Sequence, residues 1–105
     1  MDGATAKYCP GQIIYHAKLA YRGVIVDVDP VYSHTEEWYN RVATSRSPKD
    51  KPWYTVLVDE QELETYVAEK HLEPAEDEIP VEHPLLGRFF DRFEDGVYRS
   101  KSSIN

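Results

Sequence analysis

A chain of 105 residues, 41% hydrophobic and 30% charged, has enough apolar content for one compact core and too little for a second core or a membrane span. Its net charge of −7 is uneven: residues 1–58 carry seven basic and six acidic side chains, residues 59–105 five and thirteen. A phosphate-binding surface would therefore fall in the first half, and the acidic second half opposes tight nonspecific binding to nucleic acid. No apolar run approaches the roughly 20 residues of a transmembrane helix, and residues 1–7 do not resemble a signal peptide. The expected compartment is the cytoplasm, with no membrane partner. Cys9 is the only cysteine, which excludes an internal disulfide and a cysteine-rich metal site. It is expected as a small buried or half-buried thiol near the first strand.

Residues 11–16 predict a first strand entered through Pro10-Gly11, with Ile13 and Tyr15 on one face. Residues 21–30 form the clearest strand by β-branched content and alternation: Val24, Val26 and Val28 point one way, Ile25, Asp27 and Asp29 the other. Pro30 ends it. Gly23 inside this strand suggests a bend or bulge where a small sheet curls towards closure. The long connection of residues 31–52 opens with Ser33-His34-Thr35-Glu36, the Ser-x-x-Glu form of a capping box, and predicts a helix over 34–43. Its polar, basic continuation over 44–51 is expected to be mobile. Residues 53–59 and 64–69 predict a third and fourth strand joined by a hairpin loop, with a last strand or helical turn at 70–72 closed by Pro74. An acidic, proline-punctuated linker follows over 73–82. Residues 83–93 then offer one or two amphipathic turns to pack back on the barrel, and residues 100–105 are expected to fray.

Catalytic groupings are missing from this pattern. His16, His34, His71 and His83 are scattered, with no i,i+4 pair and no nearby cysteine, so they read as ordinary core or surface histidines and not as metal ligands. Asp27 and Asp29 share a strand face as paired carboxylates would, but a solvated outer face explains them better, and they also suit a recognition surface. No G-x-G-x-x-G, Walker A or G-x-S-x-G motif is present. Neither an enzyme nor a cofactor is expected.

Three segments carry a family resemblance. They are Tyr21-Arg22-Gly23-Val24-Ile25-Val26-Asp27-Val28-Asp29-Pro30, His34-Thr35-Glu36-Glu37-Trp38-Tyr39, and Lys51-Pro52-Trp53-Tyr54-Thr55-Val56-Leu57-Val58 with Thr65-Tyr66-Val67-Ala68-Glu69-Lys70-His71-Leu72. Together they make residues 11–72, about 60% of the chain, resemble the HspQ family, also called YccV-like or hemimethylated-DNA-binding. The tail beginning His83-Pro84 and containing Asp95-Gly96-Val97-Tyr98 resembles the longer members. The resemblance implies a mainly β fold, a small SH3-like β-barrel over residues 8–74, with residues 75–105 as linker and tail of the same domain. It also implies no enzymatic activity and two roles: promoting degradation of denatured proteins by an ATP-dependent protease of the Lon type, and binding hemimethylated DNA.

The residues weigh these roles unequally. An acidic chain with eight tyrosines and two tryptophans, and a long loop presenting Trp38 and Tyr39, favours protein partners, because aromatic side chains concentrate in binding hot spots. Trp53, Tyr54 and Tyr66 are expected to fill the core instead. For DNA, Arg22, Arg41, Arg46, Lys49 and Lys51 form a candidate basic patch with few phosphate contacts, hence weak and salt-sensitive binding. The protease-linked role ranks first, with the partner surface at Asp27, Asp29, Trp38 and Tyr39, and hemimethylated DNA second. The sequence leaves homo-oligomerisation open.

Overall fold

Two β-branched segments, Tyr21–Asp29 (β2) and Trp53–Val58 (β3), pair antiparallel at the centre of a five-stranded sheet. Around them lie Ile13–His16 (β1), Glu64–Ala68 (β4) and Leu72–Pro74 (β5), in the order β4-β3-β2-β1-β5. The connection after β2 carries a helix, α1 (Glu36–Val42). Beyond β5 come a short helix, α2 (Leu86–Phe89), and a hairpin of Arg92–Glu94 (β6) with Val97–Arg99 (β7). The computed structural model describes residues 5–42 and 47–100. Residues 43–46, which include the first three positions of the stretch expected to be mobile, and residues 101–105, most of the expected frayed end, lie outside the described residues.

The architecture is mainly β, as expected, but the sheet is not closed into a barrel. Its edge strands β4 and β5 are consecutive in the chain, joined by a single 3₁₀ turn at Glu69–His71, and no ladder links them. The strand or turn expected near residue 71 is both, and β5, only three residues long and ending in Pro74, is too short to complete a closing pair with β4.

Two apolar clusters occupy opposite faces. Ile14, Ile25, Tyr54, Val56, Val67 and Leu72 are buried together on one. On the other, Ile13, Val24 and Leu57 are buried with Val81, Phe90 and Tyr98 from the C-terminal segment. The Tyr98 hydroxyl donates to the Val81 carbonyl (3.1 Å) and accepts from the Val81 N–H (3.0 Å). Both sides of the sheet are therefore covered, which explains why Val24 and its neighbour Ile25 are each fully buried where strict alternation would expose one of them.

The irregularity in β2 falls three residues beyond Gly23. Cross-strand partners shift between Ile25 and Asp27, leaving Val26 as the extra residue of a bulge. Val24 and Asp27 consequently face the same way, opposite Leu57 and Thr55, and Val28 turns to the Ile25 side. This corrects the expected grouping of Val24, Val26 and Val28. Gly23 is regular, and its small size answers a different need: a Cβ there would sit 2.5 Å from Val56 Cγ1 and 2.7 Å from the Leu57 carbonyl oxygen.

Helix α1 is shorter than the expected 34–43 and is capped by Thr35, not Ser33: the Trp38 N–H donates to Thr35 Oγ1 at 3.0 Å. Cys9 is exposed, contrary to expectation. It lies in the segment that precedes β1, where its N–H donates to Gln12 Oε1, while the neighbouring Tyr8 is the residue that packs against the Ile14 cluster.

Candidate functional site

The segment between β2 and β3 is tied to the sheet by aromatic rings. The Tyr32 ring lies 5.0 Å from Trp53, 5.3 Å from Tyr39, 5.9 Å from Tyr66 and 6.1 Å from Trp38. Trp53 and Tyr66 stack at 5.3 Å, and His34 stacks on Tyr66 at 3.7 Å. Polar ends fix the arrangement. The Tyr66 hydroxyl donates to Asp29 (2.6 Å) and accepts from the Ser33 N–H (3.1 Å). Trp53 Nε1–H donates to the Pro48 carbonyl (2.9 Å), and the Tyr39 hydroxyl to the Ser47 carbonyl (2.6 Å). Burial, reinforced by the hydrogen bond to Asp29, pushes the Tyr66 hydroxyl well above the ordinary tyrosine range, so it remains a donor at any physiological pH.

Beside this cluster opens a cleft of about 700 Å³. Its walls are His34, Trp38 and Tyr66 on one side and His16, Lys18, Leu19 and Tyr21 on the other, with β4 between them. His16 builds the second wall: its Nδ1 accepts from the N–H groups of Lys18 (3.2 Å) and Leu19 (3.0 Å), holding the β1–β2 turn and leaving Leu19 64% exposed. The His16 ring stacks on His71 at 5.3 Å.

Desolvation lowers both imidazole pKa values below the ordinary 6.5, and the mutual repulsion of the pair and Lys18 add to it for His16. The unfolded chain thus takes up these protons at higher pH than the folded one. The histidine contribution to stability is complete above about 6.5 and is lost as pH falls through the depressed folded values. Thermal melts between pH 8 and 5 should show Tm falling below pH 6.5, with a shallower slope in His16→Gln. Equal slopes in the two proteins would refute the assignment.

The expected site residues divide between two places. Asp29, Trp38 and Tyr39 join the aromatic cluster, and Asp27 is exposed on the same sheet face, opposite Thr55. Lys49 pairs with Glu36 at 2.5 Å and lies 4.4 Å from the Tyr39 ring centroid. Arg41 and Lys51 are exposed nearby in sequence, and Arg46 lies outside the described residues. Arg22 does not join them. It sits towards the other end of β2, seven residues or roughly 20 Å from Asp29, where it pairs with Asp59 (2.6 Å) and Asp77 (3.1 Å) and donates to the Ile79 carbonyl. An exposed pair such as Lys49–Glu36 holds its lysine by only about 0.2–1 kcal/mol, so Lys49 remains recruitable. Arg22, between two carboxylates and largely buried, does not.

Sequence reasoning missed His16, Leu19, Tyr21, Tyr32 and His71 as site residues. It also assigned Trp53 and Tyr54 to one core, whereas alternation along β3 puts them on opposite faces, Trp53 among the aromatic rings and Tyr54 with Ile14 and Ile25. Among the described residues no three His, Cys, Asp or Glu side chains converge as a metal site, and no helix is long and apolar enough to cross a membrane.

The family model described as hemimethylated DNA-binding protein YccV like matches residues 6–97, taking in all five strands of the sheet, the cleft and most of the C-terminal segment. The chain belongs to the YccV-like family.

Proposed function

We propose that this chain is a non-enzymatic cytoplasmic adaptor that binds non-native proteins in its cleft and promotes their degradation by an ATP-dependent protease of the Lon type. The observation that carries this reading is the cleft itself: aromatic and aliphatic walls, an exposed Leu19, and only one cation, Lys18, among its lining residues. Apolar surface ringed by polar groups suits exposed hydrophobic segments. The curled sheet, with its two edge strands joined by one 3₁₀ turn, supports reading it as SH3-like.

The test is degradation of a thermally denatured client by purified Lon-type protease. Addition of the protein should raise the rate several-fold, and Leu19→Asp, at an exposed position outside both apolar clusters, should abolish the increase. An unchanged rate with every client would refute the proposal.

Hemimethylated DNA binding is the second reading, favoured by the family description and by Arg41, Lys49 and Lys51 near the aromatic cluster. Three phosphate contacts, each contributing a salt slope of about −0.9, would cost roughly 40-fold in affinity between 50 and 200 mM salt. Titration of unmethylated, hemimethylated and fully methylated duplexes at both salts separates the readings: selective binding that survives salt would put DNA first.

A further inference from the structure

We infer that the cleft captures its protein partner as an added β-strand along the outer edge of β4, the incoming segment being an extended, non-native polypeptide. This rests on the adaptor reading above and specifies how the same site engages a client.

The hydrogen-bond parity of β4 leads to this conclusion. The Leu63 carbonyl accepts from the Val58 N–H, and the Glu69 N–H donates to the Pro52 carbonyl, so odd-numbered residues direct their backbone groups towards β3. Alternation then turns the N–H and C=O of Glu64, Tyr66 and Ala68 outwards. Among the described residues no strand pairs with that edge, and the outward N–H and C=O of Glu64 and Tyr66 have no backbone or side-chain partner, whereas the Ala68 carbonyl is taken up by the 3₁₀ turn at Glu69–His71. Glu64, Tyr66 and Ala68 all line the cleft, Ala68 being only 3% exposed.

The two edges of the sheet differ. β5 is three residues long and ends in Pro74, the usual way of blunting an edge. β4, Glu64-Thr65-Tyr66-Val67-Ala68, is five residues long with three strong β-formers, Thr65, Tyr66 and Val67, at its centre and no proline, lysine or bulge. It is an edge left fit for pairing.

The chemistry selects the occupant. Outward carbonyls alternate with outward N–H groups and would repel phosphate oxygens. A helix, its own hydrogen bonds satisfied, would leave both sets unpaired. A trimethylammonium group has no cage to enter, because Tyr32, Trp38, Trp53 and Tyr66 pack against one another with centroids 5.0–6.2 Å apart and Lys49 already lies over Tyr39. An extended backbone alone supplies donors and acceptors at a two-residue repeat.

Charge sets its polarity. Glu64 is the one carboxylate lining the cleft, at the start of β4, and Lys18 the one ammonium. Lys18 lies beside His71, beyond the end of β4, because the neighbouring Ala17 N–H donates to the His71 carbonyl. A segment running antiparallel to β4, as every other pair in the sheet does, therefore fits best with an acidic residue at its N-terminal end, a basic residue at its C-terminal end and β-branched residues between.

The experiment is fluorescence anisotropy with the full chain and a labelled peptide, Asp-Val-Thr-Val-Thr-Val-Lys. It is compared with versions N-methylated at odd or at even positions and with the charge-reversed peptide, beside a binding assay with a denatured client. Methylation at one parity should weaken binding by about tenfold or more and at the other by less than about twofold, since only alternate N–H groups face β4. Lys18→Glu, which leaves a carboxylate at each end of the cleft, should abolish the preference between the two charge patterns, and Lys18→Glu combined with Glu64→Lys should reverse it. Client binding with equal sensitivity to both methylated peptides would overturn strand addition while leaving the adaptor reading intact. Loss of both client and peptide binding would overturn the two together.

Discussion

Gly11→Ala is expected to lower stability by about 3 kcal/mol or more, because two independent constraints meet at one residue. Gly11 has φ +97°, a conformation that side chains rarely adopt, and a Cβ would lie 2.0 Å from the Tyr98 carbonyl oxygen. The backbone cannot retreat, because the Gly11 N–H donates to the Ile25 carbonyl at 2.8 Å and its carbonyl accepts from the Tyr98 N–H at 2.8 Å. Gly11 thus pins the C-terminal hairpin to the central strand. At roughly 4–8 °C per kcal/mol for a chain near this size, Tm should fall by roughly 12–24 °C. Gly87→Ala is the control: a Cβ there meets nothing within 4 Å and the residue is helical, so the substitution should be neutral or slightly stabilising. Comparable melts for the two variants would mean that the Gly11–Tyr98 contact does not hold the segments together.

Strands β2, β3 and β4 were legible because β-branched alternation is local information, and their bounds agree with expectation to within a residue. What alternation could not convey was the bulge at Val26. Nothing in Val-Ile-Val-Asp-Val marks an extra residue, and a single unpaired position reverses the facing of everything after it. The C-terminal hairpin had a readable signal that went unused. Asp95 and Gly96 have φ of 54° and 77°, the left-handed pair of a tight hairpin turn, and Asp-Gly between Phe93 and Val97 is its common sequence form.

The candidate site was legible only where one segment carried it. Trp38 and Tyr39 stood out in the long connection, and Asp29 at the end of a strand. The opposite wall of the cleft depends on residues distant in sequence: His16 and Leu19 come from the β1–β2 turn, and His71 from the 3₁₀ turn that joins the sheet edges. Their meeting is a consequence of strand order, which composition and periodicity do not encode. The proposed basic patch failed to include Arg22 for the same reason. Its placement in β2 was read correctly, but the carboxylates that claim it, Asp59 and Asp77, follow 37 and 55 positions later.

Trp53→Ala is expected to cost about 3–5 kcal/mol, the usual range for removing a buried aromatic ring, and to separate the binding wall from the sheet. Trp53 is 2% exposed and stands at the start of β3, the one cluster ring rooted in a central strand. Tyr32, Tyr39 and Tyr66 pack around it at 5.0, 6.3 and 5.3 Å, and its indole N–H holds the Pro48 carbonyl at the far end of the connection. Trp53→Phe keeps most of the packing and loses that hydrogen bond, so it should cost nearer 1 kcal/mol. Hydrogen exchange distinguishes loss of anchoring from general destabilisation. In the Ala variant, at a temperature where it remains folded, the amides of α1 should lose protection while those of β1 and β2 retain theirs, and client binding should fall because His34 and Trp38 no longer form a fixed wall. Uniform loss of protection across the sheet would instead make Trp53 an ordinary core residue, with the connection held by other contacts.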